Sequence, residues 1–252
     1  MPKYFFSKNN FEKDSVVLHN ETAHHIIHVL RMKAGAQVTL CDGNDTDYTA
    51  TLRETDAKHG VCRFTLTEPV ECKTETPVPV TLYQSLPKGD KMEIVIQKSV
   101  ELGVHKIVPL YTAHSLVRDA EKKTVRYQRV AQSAAEQSMR GIVPEVSPPR
   151  TLAEALKEKE STSLSLAALS PGEVTNFGGN SPEVSFTPLR DIFAPALPAC
   201  ISLWIGPEGG FSPEEIAMLL DSGAKAISLG TRVLRTETAA LAALAQINLI
   251  TE

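Results

Sequence analysis

The order of apolar and polar positions divides the chain into two parts. Up to residue 70, short β-branched and aromatic segments alternate with polar turns, which predicts a small β-barrel with one helix. Prolines among charged residues at 71–79 indicate a linker. From residue 80 to 252, apolar runs of strand length alternate with helical segments, which predicts an α/β domain with a mainly parallel sheet.

The predicted elements have definite bounds. The first part has strands at 3–7, 15–18, 36–41, 48–52 and 61–66, a hairpin turn at 42–45 and a helix at 21–32. The second part has strands at 80–84, 106–110, 164–169, 201–205 and 225–229, and helices at 90–103, 120–139, 151–160, 212–223 and 236–250. Residues 170–198, rich in proline, glycine, serine and asparagine, are expected to form a long, partly disordered surface connection without an element of its own.

Two loops between residues 201 and 240 are the best candidates for a ligand site. The first, 206–210, follows a strand expected to be buried on both faces, and its glycines let a ligand approach the backbone closely. Ser212 then begins a capping box with proline at the first helical position. The second loop opens at Gly230, and Thr236 is the predicted N-cap of the final helix. Both loops leave the carboxyl ends of strands, where α/β sheets bind ligands.

Composition is that of a soluble globular protein, with 42% hydrophobic and 22% charged residues. No apolar run reaches membrane-spanning length and the apolar start is too short for a signal peptide, so no membrane association is expected. Four scattered cysteines without a CxxC pair indicate neither a zinc site nor a disulfide framework, and they predict a cytoplasmic location. The final helix is apolar on almost every side, which predicts burial in the domain or against a partner subunit.

A net charge of −4 argues against a uniformly basic nucleic-acid binder. Residues 118–140, however, contain six Lys or Arg residues against three Asp or Glu residues. This cluster is a candidate RNA-binding surface, although a solvated helix face explains it equally well. His24 and His28 lie one helical turn apart, but no third ligand is evident, so no metal site is predicted.

The 206–210 loop lacks both the GxGxxG pattern and the P-loop lysine of nucleotide-binding sites. Instead, LWIGPEGGFS at 203–212 and LGTRVLRTETAALAAL at 229–244 resemble the two C-terminal motifs of the RsmE family. These are SPOUT-class methyltransferases that act on small-subunit ribosomal RNA. The resemblance covers nearly the whole chain, through HIIHVLR at 25–31, QSLPKGDK at 84–91, QKSVELGV at 97–104, RYQR at 126–129 and AEQSMR at 135–140.

The resemblance implies a fold, a cofactor and a substrate. The expected fold is a PUA-like RNA-binding β-barrel followed by a SPOUT-type α/β domain tied in a trefoil knot. The implied cofactor is S-adenosyl-L-methionine (SAM), bound in the knot of a homodimer. The implied substrate is N3 of a uridine in 16S ribosomal RNA, within a small-subunit particle. The expected cofactor-binding residues are Leu169, Ile205, Gly206, Pro207, Gly209, Gly210, Leu229, Gly230, Val233, Leu234 and Thr236.

Methylation at N3 requires removal of an imide proton and stabilisation of the anion that spreads onto two carbonyl oxygens. A carboxylate base and an arginine would serve. The candidate catalytic residues are Glu136, Arg140, Arg232 and Arg235, with Arg129, Glu208 and Glu237 as further candidates. On the predicted helix at 120–139, the spacing of Arg129, Glu136 and Arg140 places all three on one face.

RNA contacts are expected from both parts of the chain. By the family resemblance and local charge, the candidates are Lys3, His25, Arg31, Lys88, Arg126 and Arg129. Two positions depart from the family pattern. Residues 113–115 read Ala-His-Ser where relatives have Glu-Arg-Ser, and Lys3 stands where many relatives carry arginine.

Three other functions stay open at this point. A non-catalytic ribosome-assembly or RNA-binding protein would use the β-barrel and would not bind SAM. A methyltransferase acting on a ribose 2′-oxygen would need a base near a hydroxyl group instead of positive charge near an imide. A nicotinamide-dependent enzyme is disfavoured, because no strand is followed by GxGxxG and a suitably spaced acidic residue.

Overall fold

The chain forms two compact units, each built on its own sheet. The first comprises residues 1–75 and 135–143, and the second comprises 76–134 and 144–252. The computed structural model describes residues 1–12, 15–117, 119–161, 163–170, 172–173, 184–193 and 196–252. No helix within these described residues has the length and apolar character needed to span a bilayer.

The described residues of the first unit form a six-stranded mixed sheet. Its strands are β1 (Lys3–Phe5), β2 (Phe11–Glu12), β3 (Ser15–His19), β4 (Gln37–Cys41), β5 (Thr46–Asp56) and β6 (Val61–Glu71). Their spatial order is β1-β4-β5-β6-β3-β2, and every pair is antiparallel except β1 with β4. Alternate side chains, among them Leu40, Leu52 and Phe64, are buried in one core with Tyr4. The mostly β first part and the hairpin turn at 42–45 are confirmed.

One helical segment of the first unit packs on this core. It begins as α1 (Asn20–His24) and continues as a wider π-type turn at His25–Val29, so it starts one residue before the predicted helix at 21–32 and ends three residues before that helix does. Ala23 and Ile26 are its buried residues. Arg31, just beyond it, has a left-handed backbone with φ of 51°, so the helical path has ended there.

Strand β6 extends farther than predicted, through Pro69 to Glu71 instead of ending at residue 66. The reason lies in its pairing. Strand β3 pairs with β6 only at residues 61–64, whereas β5 pairs with β6 along its length. Beyond residue 64 the strand has no ladder with β3, and a proline is tolerated where no second neighbour requires its N–H group.

Within its described residues, the second unit contains a seven-stranded sheet in which every pair is parallel, where the sequence predicted a mainly parallel sheet. Its strands are β7 (Val80–Ser85), β8 (Lys106–Tyr111), β9 (Glu145–Val146), β10 (Arg150–Thr151), β11 (Leu164–Ala168), β12 (Ile201–Ile205) and β13 (Lys225–Ile227). The order is β10-β8-β7-β12-β11-β13, with β9 beside β8. All five residues of the central strand β12 are buried, and Trp204 stacks on Tyr83 with ring centroids 3.9 Å apart.

Helices connect these strands. They are α2 (Lys91–Glu101), α3 (Thr124–Gln137), α4 (Leu152–Glu158), α5 (Leu189–Phe193), α6 (Pro213–Asp221) and α7 (Thr236–Thr251). The capping box predicted for α6 is confirmed, because Ser212 Oγ accepts from the Glu215 N–H and the Ser212 N–H donates to the Glu215 carboxylate. The cap predicted at α2 is wrong. Asp90 makes no side-chain cap bond, and the Glu93 carboxylate pairs with Arg126.

The expectation that 170–198 holds no element is also wrong. Residues 189–193 form helix α5, and Leu189, Ile192 and Phe193 are buried. Their i, i+3, i+4 spacing is that of an apolar helix face, which the surrounding prolines obscured in the sequence. Residues 171, 174–183 and 194–195 of this segment lie outside the described residues, and the predicted partial disorder of 170–198 stays a prediction there.

Helix α7 is less uniformly buried than its apolar sequence predicts. Ala240, Ala243, Leu244 and Ile247 face the interior of the unit, whereas Leu249 is 85% exposed. At Leu249 the helix therefore has an apolar edge that the described residues of the unit leave exposed. The four cysteines are free thiols, and Cys41 and Cys62 are buried.

Candidate active site

A cavity of about 660 Å³ lies at the carboxyl ends of β11, β12 and β13. Two segments form most of its wall: the glycine loop (residues 206–210) and the arginine loop (residues 229–235). The end of β11 supplies the third side. The cavity wall includes each residue predicted to bind cofactor, namely Leu169, Ile205, Gly206, Pro207, Gly209, Gly210, Leu229, Gly230, Val233, Leu234 and Thr236.

The glycine loop is shaped by its backbone. Gly210 has φ of 71°, and a Cβ atom there would lie 2.5 Å from Glu173 Oε1. The Glu173 carboxylate accepts hydrogen bonds from the N–H groups of Phe211 and Ser170, at 3.1 and 2.6 Å. A side chain at position 210 would therefore be strained and would displace the carboxylate that holds the loop. No motif in the sequence indicated this role for Glu173.

Thr236 is not the N-cap that the sequence predicts, although it does lie in the cavity wall. The N-cap of α7 is Arg235, and Thr236 is the first helical residue. Its hydroxyl donates a hydrogen bond to the Gly206 carbonyl at 2.6 Å and accepts one from Gln84 Nε2 at 2.8 Å. The side chain is thus committed to the glycine loop and not to the helix end. Gln84, at the end of β7, was not among the predicted site residues.

His114 also belongs to the cavity wall. Its Nδ1 lies 2.9 Å from the Gly210 carbonyl oxygen, and the preceding Ala113 N–H donates to Glu215 Oε1 at 2.7 Å. The departure from the family pattern at residues 113–115 thus places an imidazole against the glycine loop. Because a carbonyl can only accept, Nδ1 carries the proton in this hydrogen bond.

Glu208, at the rim of the cavity, is held by cations and N–H groups. Its carboxylate accepts from the Lys88 N–H at 3.1 Å and from Lys91 Nζ at 3.2 Å. Burial alone would raise the pKa of Glu208, but these bonds and one from its own N–H outweigh burial and lower that pKa. The Lys91 pKa is raised, chiefly by the hydrogen bond to Glu208.

Arg232 and Arg235 line the cavity and are exposed. Within the part of the chain that the structure describes, neither guanidinium has an ion-pair partner. Both are therefore available to a negatively charged group in or beside the cavity.

The comparisons with known proteins all indicate the same family. Residues 74–248 match the family described as an RNA methyltransferase domain, and residues 18–65 match an RNA methyltransferase PUA domain. Ribosomal RNA small subunit methyltransferase E of Synechocystis is 37% identical, over 94% of this chain and 74% of that protein. The Bacillus subtilis protein of the same name is 32% identical, over 100% of this chain and 98% of its own. The chain belongs to the ribosomal RNA small subunit methyltransferase E family.

Solved structures of similar proteins confirm the predicted fold class, a PUA-like unit with a SPOUT-type α/β unit. The Neisseria gonorrhoeae methyltransferase E, crystallised with SAM, gives a TM-score of 0.85 at 34% identity, over 99% of this chain and 98% of that one. A Legionella pneumophila protein in complex with SAM gives 0.84 at 33% identity, over 98% and 96% of the two chains. The trefoil knot stays a prediction.

Four of the catalytic candidates do not line the cavity of this methyltransferase-family chain: Glu136, Arg140 and the further candidates Arg129 and Glu237. Glu136 and Arg140 belong to the first unit, and the predicted shared face is wrong for Arg140. Helix α3 ends at Gln137, Met139 has φ of 60°, and Arg140 follows this left-handed turn. The Arg140 side chain is 2% exposed and pairs with the Glu75 carboxylate.

Lys3 is not available to RNA. Its side chain is buried, and its ammonium group lies 2.7 Å from Asp47 Oδ1 and donates to the Met139 carbonyl at 3.2 Å. Many relatives carry arginine at this position. In this protein the positive charge of Lys3 is paired with Asp47 inside the first unit. The prediction that Lys3 binds RNA is corrected accordingly.

The other RNA-binding candidates are exposed. In the first unit, His25 Nδ1 lies 3.1 Å from the Tyr4 hydroxyl. In the second unit, Arg126 pairs with Glu93 at 2.8 Å while remaining 63% exposed. The rings of His24 and His28 are 4.7 Å apart, and no group of three or more His, Cys, Asp or Glu side chains able to hold a metal ion occurs within the described residues. The exposed candidates are His25, Arg31, Lys88, Arg126 and Arg129.

Proposed function

We propose that this protein transfers the methyl group of SAM to N3 of a uridine in 16S ribosomal RNA of the small subunit. The observation that carries the proposal is the cavity at the strand ends, because both C-terminal motifs of the family contribute its wall. The similar Neisseria and Legionella proteins were each crystallised with SAM.

The cavity suits this cofactor in size and chemistry. Its volume of about 660 Å³ is within the range of small-molecule sites. Leu169, Leu229 and Leu234 provide apolar surface on which an adenine ring can pack, and the glycine loop offers open backbone. SAM supplies the methyl group as a sulfonium, so the main task of the protein is to align sulfur, methyl carbon and the attacking nitrogen.

The reaction also requires handling of one proton and one negative charge. A bond forms between N3 and the methyl carbon as the carbon–sulfur bond breaks, leaving S-adenosylhomocysteine, and the N3 proton passes to a base. We assign stabilisation of the uracil anion to Arg232 and Arg235, which line the cavity without ion-pair partners among the described residues. Glu208 lines the same cavity, but its lowered pKa makes it a weak base.

We further propose that RNA binding is shared between the PUA-like domain at 1–70 and the methyltransferase domain at 80–252. Because the chain as a whole is acidic, phosphate contacts must come from local clusters. The exposed basic residues His25, Arg31, Lys88, Arg126 and Arg129 are the proposed contacts. A ribosomal substrate places the enzyme in the cytoplasm, and a small-subunit particle is the proposed form of that substrate.

A homodimer is proposed as the working form. The exposed apolar edge of α7 at Leu249 is the feature that supports it, because a second subunit would cover this surface. Light scattering at micromolar concentration tests the proposal, and a monomer that retains full methyl transfer would contradict it.

The proposed function is tested with purified protein, methyl-labelled SAM and small-subunit particles that lack the modification. We expect label in 16S RNA, and we expect calorimetry to show SAM binding without RNA. Absence of both would favour the non-catalytic RNA-binding alternative. SAM binding without transfer to particles or to free 16S RNA would contradict the proposed substrate.

A further inference from the structure

We propose that Gln84 is a positioning residue for the cofactor site, acting through Thr236 on the Gly206 carbonyl. The inference rests on the proposed SAM-binding function and adds a residue to it. Gln84 lies at the end of β7, is fully buried and does not line the cavity. It is 152 residues from Thr236 in the chain, so the contact forms only when the α/β unit is folded.

The hydrogen bonds around Gln84 have one possible direction. Gln84 Nε2 lies 2.9 Å from the Ser85 carbonyl, which can only accept. The amide nitrogen is therefore the atom facing Thr236, and it donates to Thr236 Oγ1 at 2.8 Å. The single hydroxyl proton of Thr236 then goes to the Gly206 carbonyl at 2.6 Å. The carbonyl groups at the two ends of the Gln84–Thr236–Gly206 relay thus fix the direction of its hydrogen bonds.

The relay holds a peptide unit that has only one hydrogen-bonding group. Residue 207 is proline, so the peptide between Gly206 and Pro207 has no N–H group and can be oriented only through its carbonyl. Thr236 provides that bond, from inside the unit. Glycine at 206 leaves the backbone free to rotate when the bond is broken. The free-energy cost of ordering the loop would then be offset by the binding energy of the cofactor, which would weaken cofactor affinity.

A purely structural role for Gln84 predicts a different effect of replacing this residue. Gln84 Oε1 and Ser85 Oγ are buried and have no hydrogen-bond partner among the described residues. An apolar replacement of Gln84 removes one of these unpartnered atoms, so fold stability alone would not require glutamine here. Positioning of the loop does require it, because only the amide donates to both Ser85 and Thr236.

The test compares Gln84→Glu, which has nearly the same shape but no NH2 group to donate to Ser85 and Thr236 together, with Gln84→Met, which has no donor. The matched control is Gln128→Glu, since the Gln128 amide also donates to a backbone carbonyl, that of Pro144 at 3.0 Å, but lies outside the cavity wall. Calorimetry should show SAM binding about tenfold weaker in both Gln84 variants, as expected when a buried donor is removed. The KM for SAM should rise by the same factor, with the KM for RNA unchanged. Gln128→Glu should bind SAM within about twofold of the parent protein.

Two variants of Thr236 complete the test. Thr236→Ser keeps the hydroxyl and should retain SAM affinity, whereas Thr236→Val should match Gln84→Met. Combining Gln84→Met with Thr236→Val should weaken binding no further than either change alone, because both act on one relay. SAM affinity within about twofold of the parent in a folded Gln84→Met protein would overturn the relay. A parent protein that binds no SAM would instead contradict the proposed function on which the relay rests.

Discussion

The ammonium group of Lys91 lies 3.2 Å from Glu208 Oε1, which connects the start of α2 to the glycine loop. The same ammonium group lies 3.5 Å from Glu237 Oε2, in the first turn of α7. One lysine thus bridges a carboxylate of the glycine loop and a carboxylate in the first turn of α7. The bridge and the buried relay are two separate connections between the start of α7 and the glycine loop.

Replacing Lys91 with methionine should raise the pKa of Glu208 and loosen the glycine loop. A lowered carboxylate pKa stabilises the fold fully above the ordinary value of 4.5, and the effect is lost as the pH falls through the folded-state value. The melting temperature of Lys91→Met should therefore lie below that of the parent at pH 7, and the difference should vanish in acid. Lys98→Met, which breaks an exposed pair with Glu101 on the same helix, is the control. A pH-independent difference would contradict this account.

Arg140→Ala should destabilise the protein without weakening cofactor binding. The side chain is buried with its charge paired to Glu75, and removing one partner of such a pair costs about 3 kcal/mol or more. Urea denaturation measures the loss, and calorimetry should give unchanged SAM affinity. If stability were unchanged while methyl transfer disappeared, Arg140 would have the catalytic role that its sequence suggested.

Substitutions in the glycine loop should remove cofactor binding. Gly206→Val would place Cβ 3.2 Å from Phe211 Cδ2 and extend into the cavity, and Gly210→Ala would combine a strained φ with a contact to Glu173. Gly35→Ala is the control, because Gly35 has φ of 90° with no atom within 4 Å. That control should cost about 1 kcal/mol of stability and leave SAM affinity unchanged. Calorimetry showing normal affinity in both loop variants would refute the location of the site.

RNA affinity should depend on exposed basic residues of α3. The double variant Arg126→Ala with Arg129→Ala should weaken RNA binding and reduce the slope of log affinity against log salt by about one unit for each arginine that binds a phosphate. SAM affinity should not change. Arg150→Ala serves as control, since it removes a surface arginine paired with Glu158. If the double variant and the parent had identical salt slopes, these two arginines of α3 would not bind RNA and the helix would have only a structural role.

The cavity could be predicted from the sequence because its wall comes from local motifs. The glycine loop and the arginine loop each follow a short strand, and β12 and β13 lie parallel on either side of β11, so both loops leave the same edge of the sheet. The side chains that hold this wall could not be predicted in the same way. The partners of Thr236 are Gly206 and Gln84, 30 and 152 residues away, and no spacing rule connects such positions.

Charge was the least informative property of the sequence. Lys3 and Arg140 carry the residue types expected for RNA or catalysis, but each is buried against a carboxylate distant in the chain, Asp47 and Glu75. Arg140 also follows a left-handed turn at Met139, which takes it off the helical periodicity. Long-range ion pairs and a single backbone angle therefore determine where these two side chains lie, and helical spacing alone does not reveal this.

The central claim is methylation of a uridine base, and analysis of the product nucleoside tests it most directly. Small-subunit particles lacking the modification are incubated with the protein and labelled SAM, and their RNA is digested and examined by mass spectrometry. The proposed function predicts labelled 3-methyluridine, absent when the Gly206→Val protein is used. Label on a ribose 2′-oxygen, or on any base atom other than uridine N3, would contradict it.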